Sequence, residues 1–380
     1  MEVVCIGGGV SSCIFAYNLK KNHPDYKITI LEASDKILKR VLVSGNGRCN
    51  FFNSEFLKPE LLQNKVTSFE EFNRFYNKKL SKEFLDFISS EFNFKYYEDE
   101  SKRMYPFSNI SSTLKDVIEA GLNKLKIKIK LNTKVSSIDF NNKKVISNNG
   151  EYKYDKVFIG IGGKSYDRNE KEYDLFISSL KLSTNSYSSG LTPLIISKNI
   201  PSCLVGTRCK GQLTLKRNRS IIYKEDGEIL FKKDGISGIC VFDSSLFINL
   251  NSKDSYYICF NPFIHDNVDV SFDKKVKLED LYGIFNPNLI KYISLSKKNL
   301  YSCKDILDLL TFHVVNKYPL KDSQISLGGI LTNNVNDDFS LKNNNDVFLG
   351  GEVLDLHGIC GGYNMGMAFL SGFKASKSIK

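Results

Sequence analysis

The chain opens with Glu2-Val3-Val4-Cys5-Ile6, continues with Gly7-Gly8-Gly9 and then reads Val10-Ser11-Ser12. The apolar run before the glycines is typical of a buried strand, and residues 11 to about 20 carry apolar side chains at helical spacing. A second apolar run, Lys27–Leu31, follows that helix. The start of the chain therefore predicts a strand–helix–strand unit with a tight glycine turn.

The glycines in this turn match a phosphate-binding pattern. Gly7-x-Gly9-x-x-Ser12 lies between a predicted strand and a predicted helix, and Glu32 follows twenty residues after Ser12. Gly7 allows the turn, Gly9 lets backbone approach a pyrophosphate, and the helix amides hold the anion. Glu32 can accept hydrogen bonds from ribose hydroxyls. The pattern favours a dinucleotide site over a plain glycine turn, although Ser12 stands where a third glycine is usual.

The type of dinucleotide follows from the two ends of the chain. We find no second G-x-G-x-x-G, so one resident dinucleotide is expected. The segment after Val347-Phe348-Leu349 is another strand–glycine–helix element. A ligand that contacts both chain ends suits FAD better than NAD, because the flavin reaches far from its adenosine.

The composition is that of an ordinary globular protein. A chain of 380 residues suggests two to three domains, and 42% apolar with 25% charged residues argues against disorder or collagen-like repeats. No apolar run approaches the roughly eighteen residues of a spanning helix. We recognise no secretory leader, so we expect a cytoplasmic protein that does not act in a membrane.

Charge and metal-binding residue types exclude further classes. The 53 basic and 42 acidic residues give a formal charge of +11, which could serve a polyanionic partner. The lysines are spread along the chain, however, so we expect no specific nucleic-acid partner. Nine cysteines without a C-x-x-C pair predict neither a disulfide framework nor a zinc ribbon. The four histidines lack metal-ligand spacing, and we expect no metal site.

The middle of the chain changes period several times. Helical spacing is found between about 67 and 92 and again at Ser111–Lys124. Residues 134–154 alternate and predict a three-stranded meander that leads into an apolar strand. Residues 190–250 are rich in predicted strands, and residues 275–320 have more helical spacing.

Motifs along nearly the whole chain resemble those of the YhiN/BaiN-like flavoproteins, which are bacterial NAD(P)/FAD-dependent or aminoacetone-oxidase-type oxidoreductases. The matching motifs occur in the same order and are Gly7-Gly8-Gly9, Ser44-Gly45-Asn46-Gly47-Arg48-Cys49-Asn50, Arg103-Met104-Tyr105-Pro106, Gly162-Gly163-Lys164-Ser165-Tyr166, Gly227-Glu228-Ile229-Leu230-Phe231, Gly235-Ile236-Ser237-Gly238, Gly350-Gly351-Glu352-Val353-Leu354-Asp355 and Gly361-Gly362-Tyr363-Asn364. The departures are Ser12 and Asn46 in place of glycine and Ile239 in place of proline.

This resemblance implies an α/β fold, with a Rossmann-like two-dinucleotide-binding-domain flavoprotein core and an inserted small β-barrel and helical subdomain. The first part of the FAD-binding domain is expected at residues 1–188 and the second at 328–380. The barrel-like insert is expected at 189–245 with 312–327, and the helical subdomain at 246–311.

The resemblance also implies how FAD lies. Its adenine is expected near Glu32 and Val135, while the Arg48 loop and the C-terminal glycines flank the pyrophosphate and the ring. The expected cofactor contacts are Gly7, Gly9, Val10, Ser11, Ser12, Glu32, Ala33, Arg40, Ser44, Gly45, Gly47, Arg48, Cys49, Asn50, Val135, Gly162, Gly163, Gly351, Glu352, Asp355, Gly361, Gly362, Tyr363, Asn364 and Met365.

No catalytic residue is assigned, and the candidates are Arg48, His357 and Tyr363. Arg48 can grip a phosphate, face the flavin or lie on the surface. Cys49 invites a thiol-redox interpretation, but no partner cysteine lies within a few residues. Tyr105 and Tyr166 could line the substrate side of the ring, as could Tyr363.

The helix expected from about Asn364 gives one further hypothesis. Its first amides, around Gly362 to Met365, are expected to bind the pyrimidine end of the flavin, where negative charge develops on reduction. We expect the adjacent glycines to allow this approach, because they lack side chains. The alternative is that they only form a tight turn.

These features favour an FAD-dependent oxidoreductase that acts on a small organic molecule, with NADH or NADPH as a transient co-substrate. The alternatives are a flavin-dependent RNA-modifying protein and a non-catalytic FAD-binding module. Substrate, electron acceptor, preference between NADH and NADPH, and oligomeric state stay open.

Overall fold

A computed structural model describes residues 1–165 and 170–380; the predicted flavin-side residue Tyr166 lies outside these ranges. The chain forms two compact units, residues 1–188 with 326–380 and residues 189–325. None of the described helices is both long enough and apolar enough to cross a membrane.

The described residues form ten α-helices, in chain order α1 Val10–Asn22, α2 Lys39–Val43, α3 Phe69–Phe75, α4 Lys78–Glu91, α5 Ser111–Lys124, α6 Glu170–Ser179, α7 Ile239–Ser245, α8 Pro287–Ser294, α9 Cys303–Leu309 and α10 Tyr363–Ser378. Short 3-10 turns lie at Ser44–Gly47, Ser54–Leu57, Pro59–Leu62, Leu278–Leu281, Leu320–Asp322 and Thr332–Asn334.

The strands of the described residues are β1 Glu2–Ile6, β2 Lys27–Leu31, β3 Phe52–Asn53, β4 Tyr96–Glu98, β5 Arg103–Pro106, β6 Lys128–Lys130, β7 Val135–Asp139, β8 Lys144–Ser147, β9 Gly150–Lys153, β10 Lys156–Ile159, β11 Thr184–Gly190, β12 Leu194–Ile196, β13 Arg208–Arg217, β14 Ser220–Phe231, β15 Gly235–Ser237, β16 Tyr256–Asn261, β17 Ile264–His265, β18 Val268–Asp269, β19 Thr311–Lys317, β20 Ile325–Ile330, β21 Ser340–Leu341 and β22 Asn344–Leu349.

The first unit is organised by a six-stranded sheet in the order β21-β22-β10-β1-β2-β6. Adjacent strands of this sheet run parallel to each other, except that the edge strand β21 runs antiparallel to β22. Strand β1 lies between β2, the next strand along the chain, and β10, which follows much later. The strand order therefore reverses beside β1, and in such sheets ligands bind outside the carboxyl ends of the strands at this point.

Several local predictions are confirmed in this unit. Helix α5 has the predicted bounds, and β7, β8 and β9 form the predicted meander. The helical stretch after residue 67 is two helices, because Asn77 begins a new one. Its side-chain oxygen accepts a hydrogen bond from the amide of Leu80 at 2.9 Å, as an N-cap residue does.

Helices α1 and α10 cross in very close contact. Helix α1 packs on the sheet through Phe15, whose ring stacks on that of Phe158 with centroids 4.4 Å apart. At the crossing, a Cβ atom on Gly372 would lie 2.0 Å from the carbonyl oxygen of Ser11. Glycine at 372 therefore sets how closely the N-terminal and C-terminal segments pack.

The second unit contains a closed barrel in the order β12-β15-β14-β13-β16-β19. Buried side chains alternate along its strands, as Leu213 and Leu215 show on β13. Strand β16 lies within residues 246–311, which we expected to form a helical subdomain. Residues 256–261 form a strand because Tyr256, Ile258 and Phe260 are buried at a period of two. This strand pairs with both β13 and β19.

We expect Gly372→Ala to destabilise the first unit. Alanine has a helix propensity about 1 kcal/mol more favourable than that of glycine. Overpacking, however, typically destabilises a folded protein by about 1–3 kcal/mol. Here the added Cβ would meet the backbone carbonyl oxygen of Ser11, which cannot turn aside as a side chain can. The difference is a net loss of about 0–2 kcal/mol in the free energy of unfolding, and the rigid backbone obstacle favours its upper half, about 1–2 kcal/mol. Urea unfolding measures it.

Gly283→Ala is the matched control, because nothing lies within 4 Å of its Cβ position. Equal stability of the Gly372→Ala variant and the wild type would show that the two helices separate without loss.

Candidate functional site

The glycine turn after β1 is held by backbone contacts. Gly7 has φ +93°, and its Cβ would lie 2.6 Å from the carbonyl oxygen of Gly160. A Cβ on Gly8 would lie 2.6 Å from Cγ2 of Ile37. At Gly9 the nearest atom would be 3.6 Å away, which is ordinary contact. Gly7 and Gly8 thus build the turn, and Gly9 leaves the more open approach to it.

Helix α1 begins directly behind this turn. Gly9 is its N-cap residue, and no side chain of the described residues caps it. The first amides of a helix lack intrahelical partners and carry the positive end of its dipole. The carboxyl edge of β1 therefore presents hydrogen-bond donors in an electropositive position, at Val10 and the two serines that follow.

The structure explains Ser12, which departs from the usual glycine. Ser12 is fully buried, and a Cβ on Gly160 would lie 2.3 Å from its Oγ atom. Glycine at 160, just after β10, therefore makes the room that glycine at position 12 would otherwise make. The Ser12 Oγ atom has no hydrogen-bond partner among the described residues. Sequence reasoning missed Gly160, although a glycine at a strand end was the available signal.

Glu32 lies at the carboxyl end of β2, as predicted, and its carboxylate faces the turn. Oε2 accepts a hydrogen bond from the amide of Gly8 at 2.6 Å. Oε1 accepts from the amide and hydroxyl of Ser34, at 2.8 and 2.7 Å. These contacts fix the carboxylate and leave acceptor capacity on Oε2, because Oε1 already accepts two hydrogen bonds.

The adjoining positions Ala33 and Val135 lie near Glu32. Ala33 is the exposed next residue of the chain. The amide of Thr133 donates to the carbonyl oxygen of Glu32 at 2.8 Å, so Val135, at the start of β7, follows two residues later.

Arg40 and Glu352 connect distant parts of the expected site. Nη1 of Arg40 donates to Oε2 of Glu352 at 2.9 Å, and Nη2 donates to the carbonyl oxygens of Gly163, at 3.2 Å, and Ser165. Oε1 of Glu352 accepts from the amide of Ser326 at 2.8 Å. This network brings Gly163 beside the C-terminal motif. It also includes Ser326, which the sequence did not indicate.

The loop from Ser44 to Asn50 has an unusual backbone. Gly45, Asn46, Gly47 and Cys49 have φ values of +56°, +54°, +83° and +61°. These φ values are in the left-handed region, whereas Arg48, between Gly47 and Cys49, is in the right-handed helical region. Successive residues that switch between the two regions turn their amides toward one side, as in anion-binding nests. Asn46 tolerates such a φ better than most non-glycine residues, which explains how it replaces glycine here.

The side chains of this loop differ in their surroundings. The guanidinium of Arg48 is exposed and lies 5.0 Å from the ring centroid of the buried Tyr105. The Cys49 thiol is buried and lies 3.9 Å from the sulfur of Met365. Burial raises the pKa of Cys49 to about 11, and a hydrogen bond with Ser44 lowers it in part.

The start of α10 meets this loop through backbone. Gly362, its N-cap residue, has φ +92°, and a Cβ there would lie 2.4 Å from the carbonyl oxygen of Phe52 and 2.7 Å from Oδ1 of Asn50. The glycine is thus required by Phe52 and by the backbone angle. Our sequence-based reason, that glycine at 362 clears space for a flat ring, stays a prediction. Gly361 also has a positive φ, +128°.

Two side chains of the C-terminal motif, Tyr363 and Asn364, make hydrogen bonds to other residues of the chain. The Tyr363 hydroxyl donates to Oε2 of Glu55 at 2.6 Å, and its ring is buried. The Asn364 side chain accepts from the amide of Gly358 at 2.9 Å and donates to the carbonyl oxygen of that residue at 2.8 Å. Both contacts hold the loop that precedes α10.

The buried His357 is paired with the half-buried Asp355. Nε2 of His357 lies 2.9 Å from Oδ1 of Asp355, while Oδ2 accepts from Nδ2 of Asn185 at 2.6 Å. Burial raises the pKa of Asp355, but hydrogen bonds from His357 and Asn185 outweigh this effect and hold the pKa below its ordinary value. Nδ1 of His357 is buried without a partner among the described residues.

The expected cofactor residues that directly follow β1, β2, β10 and β22 lie at the carboxyl edge of the sheet in the first unit. Gly351 lies there with φ +76°, and its Cβ would lie 3.1 Å from the hydroxyl of Ser11. Gly162, with φ +73°, accepts a hydrogen bond from Tyr173 at 2.8 Å. This edge fits an extended dinucleotide such as FAD. It combines close glycine backbone, the uncapped amides at the start of α1, the fixed carboxylate of Glu32 and the Ser12 hydroxyl that has no partner among the described residues.

The chain is similar to known proteins along almost its whole length. A 3-dehydro-bile acid delta(4,6)-reductase of Clostridium scindens is 27% identical over 418 residues, which cover 98% of this chain and 97% of that protein. The 3-ketosteroid delta1-dehydrogenase of Sterolibacterium denitrificans has a similar fold, with a TM-score of 0.55 and 12% identity over 99% of this chain and 98% of that one. The E. coli quinol fumarate reductase FrdA also has a similar fold, with a TM-score of 0.51 and 9% identity. That comparison covers 99% of this chain and 69% of that one.

The family model described as HI0933-like protein Rossmann domain matches residues 1–378. The chain therefore belongs to this family of FAD-binding oxidoreductases, which confirms the resemblance to the YhiN/BaiN-like flavoproteins.

Proposed function

We propose that this protein is an FAD-dependent oxidoreductase that receives electrons from NADH or NADPH and acts on a small organic substrate. The observation that carries the proposal is the convergence of Gly9, Gly160 and Gly351 on the start of α1, with Glu32 fixed beside them. FAD, when bound, supplies the hydride and electron transfer. The chain supplies binding, orientation and electrostatics.

The adenosine and pyrophosphate end is assigned to the N-terminal segment. Glu32 is already aligned by Gly8 and Ser34, so its Oε2 atom is positioned to accept a hydrogen bond from a ribose hydroxyl without rearranging. The amides at the start of α1 are assigned to the pyrophosphate. The loop around Gly47 is assigned to the same anionic part, because nothing lies within 4 Å of the Gly47 Cβ position.

The ring end is assigned to the start of α10. The N-cap residue of this helix is Gly362, which has no side chain to cap it, and the amides of Asn364 and Met365 lie in the first turn. A helix start stabilises negative charge. We assign these amides to the pyrimidine end of the ring, where they would favour the reduced cofactor.

His357 is proposed as a positioning residue rather than an acid or base. Its Nε2 proton is held against the Asp355 carboxylate, which the lowered pKa keeps ionised. The backbone of His357 also exchanges hydrogen bonds with Thr67, between its amide and Oγ1 at 3.0 Å and between its carbonyl oxygen and the Thr67 amide at 2.8 Å. These contacts fix the segment between Gly351 and Gly361. Tyr363 is likewise proposed to hold the fold through Glu55.

The relatives suggest the first substrates to assay. The bile acid relative is a reductase, and the similar dehydrogenase structure holds a steroid dione. We therefore propose a reductive direction and a ketosteroid-like substrate class. Arg48 is exposed on its loop, and we propose that it contacts a phosphate of FAD or of the nicotinamide co-substrate.

The decisive experiment is anaerobic reduction of the purified protein. We expect a yellow protein with one FAD per chain, whose flavin absorbance is bleached by NADH or NADPH and restored by an oxidised or unsaturated ketosteroid. Dithionite serves as the positive control for reduction. A protein that takes up FAD but is reduced by neither nicotinamide would disprove the proposed electron donor.

Glu32→Ala should weaken FAD binding by about 1.5–3 kcal/mol, the range for hydrogen bonds to a charged group. Fluorescence titration of the apoprotein with FAD measures the affinity. Glu60→Ala is the matched control, because Glu60 is an exposed carboxylate on a short turn of the same unit. Unchanged affinity of the Glu32→Ala variant would place the ribose elsewhere.

A thiol mechanism at Cys49 is disfavoured by the raised pKa. With a pKa of about 11, roughly one thiol in 10⁴ is ionised at pH 7, and the thiolate is the reactive form. The side chain is also fully enclosed.

Cys49→Ser should therefore keep the flavin spectrum and most of the turnover. In the native protein, iodoacetamide should label the partly exposed Cys203 faster than Cys49, as peptide mass spectrometry would show. Lost turnover with an intact flavin spectrum would restore the thiol mechanism.

A further inference from the structure

Three exposed apolar side chains lie on adjoining segments of the first unit. Phe107 is 75% exposed, Ile110 56% and Val43 53%. Phe107 and Ile110 lie between β5 and α5, and Val43 ends α2. The hydroxyl of Ser111 donates to the carbonyl oxygen of Leu42 at 2.9 Å, which places the start of α5 against the end of α2. Single exposed apolar residues are ordinary, but several on one surface mark an interaction site.

Phe107 projects from a turn whose backbone is fixed. The amide of Asn109 donates to the carbonyl oxygen of Pro106 at 2.8 Å, which closes the turn. The amide of Phe107 donates to the carbonyl oxygen of Lys95 at 2.9 Å. The hydroxyl of Tyr97, on β4, donates to Oδ1 of Asn109 at 3.1 Å. The phenylalanine ring is therefore held in solvent by a turn that the rest of the chain supports.

The surface around this turn, which we call the Phe107 surface, is basic. It consists of residues 39–48, 93–97 and 105–113, which the contacts above join. These stretches contain two lysines and two arginines but no aspartate or glutamate. Two acids that flank them are offset by lysines, since Glu98 lies 2.8 Å from Lys102 and Asp116 lies 3.5 Å from Lys115. The Phe107 surface is therefore electropositive.

Two of the four basic side chains are available to a partner. Arg40 is used within the protein, and we assign Arg48 to a phosphate. Lys39 and Lys95 are exposed, and neither forms a salt bridge among the described residues. Lys39 precedes Val43 by four residues on α2, so the two side chains share one face of that helix. Lys95 is joined to the turn by its carbonyl group. Each lysine thus lies beside an exposed apolar residue.

We propose that the Phe107 surface binds the surface of an anionic lipid bilayer. Apolar side chains enter the boundary between headgroups and acyl chains, and neighbouring lysines attract anionic headgroups. A fluid lipid surface accepts projecting side chains such as Phe107 without a matching groove. The sequence-based expectation of no membrane partner rested on the lack of a spanning run, and contact through a turn requires none.

The first test is sedimentation of the FAD-loaded protein with lipid vesicles. One set contains phosphatidylcholine alone, and the other contains equimolar phosphatidylcholine and phosphatidylglycerol. We expect binding to the anionic vesicles only, and weaker binding as salt is added, because salt screens exposed charges. No binding to the anionic vesicles would overturn the proposal. Because turnover is not measured, the result is independent of the proposed electron donor and substrate.

Insertion of the turn can be observed directly, because the chain contains no tryptophan. Phe107→Trp gives a protein with one indole at the turn. Leu175→Trp is the matched control, since Leu175 is 69% exposed on α6 of the same unit. On anionic vesicles, only the emission of Phe107→Trp should shift to shorter wavelength and be quenched by lipids with brominated acyl chains. Unchanged emission from a Phe107→Trp protein that sediments with the vesicles would overturn the proposal.

The contribution of charge is tested at the two lysines. Lys39→Gln combined with Lys95→Gln should weaken binding to anionic vesicles about 20- to 30-fold, at roughly fivefold for each basic residue near the lipid. Lys274→Gln combined with Lys275→Gln removes the same charge from exposed positions of the second unit and should bind nearly as the wild type does. Equal losses in the two double variants would show that net charge, rather than this surface, attracts the lipid.

A second copy of the chain is the competing occupant of the Phe107 surface. Phe107→Ser should weaken vesicle binding about 10- to 100-fold, as the loss of one buried aromatic side chain implies. It should leave the flavin spectrum and the molar mass in solution unchanged, because the ring is exposed in the protein. A wild-type oligomer that dissociates in the Phe107→Ser variant would overturn the proposal in favour of a protein interface.

Discussion

Backbone packed against backbone at the start of α1 is the constraint on which the first unit depends. Gly7 lies against the carbonyl oxygen of Gly160, and Gly372 lies against that of Ser11. A backbone oxygen cannot turn aside as a long side chain can, so even one added carbon would push these segments apart. The strand ends and both terminal segments can therefore meet only where side chains are absent.

The same close packing leaves polar groups without protein partners at the carboxyl edge of the sheet. Because the helices and strand ends approach so closely, few side chains are available to satisfy the polar groups there. The start of α1 has no side-chain cap, and the Ser12 hydroxyl has no partner among the described residues. Buried polar groups are normally hydrogen-bonded. Because the chain belongs to a family of FAD-binding oxidoreductases, we propose the cofactor as the partner of these groups.

Charged side chains then order the loops around this edge. Glu32 ties the glycine turn to Ser34, and Glu352 ties Arg40 to Ser326. Each carboxylate receives several hydrogen bonds, which holds it in a single orientation. In the second unit the buried side chains of the barrel strands are mostly apolar, and Lys317, at the end of β19, is a buried lysine. Residues that break a local rule of folding are expected to mark function.

The amino-acid sequence by itself determined the local features of this protein. The glycine turn, Glu32 at a strand end, helix α5 and the meander β7–β9 are all encoded within short windows, where the period of apolar residues and the turn residues act directly. Tertiary structure alone decided what lies opposite each residue. Ser12 is accommodated by Gly160, Gly362 is required by Phe52, and the Tyr363 hydroxyl is bound by Glu55. These partners are more than a hundred residues apart in the chain, and no local pattern encodes which backbone or side chain will meet a given atom once the sheet has formed.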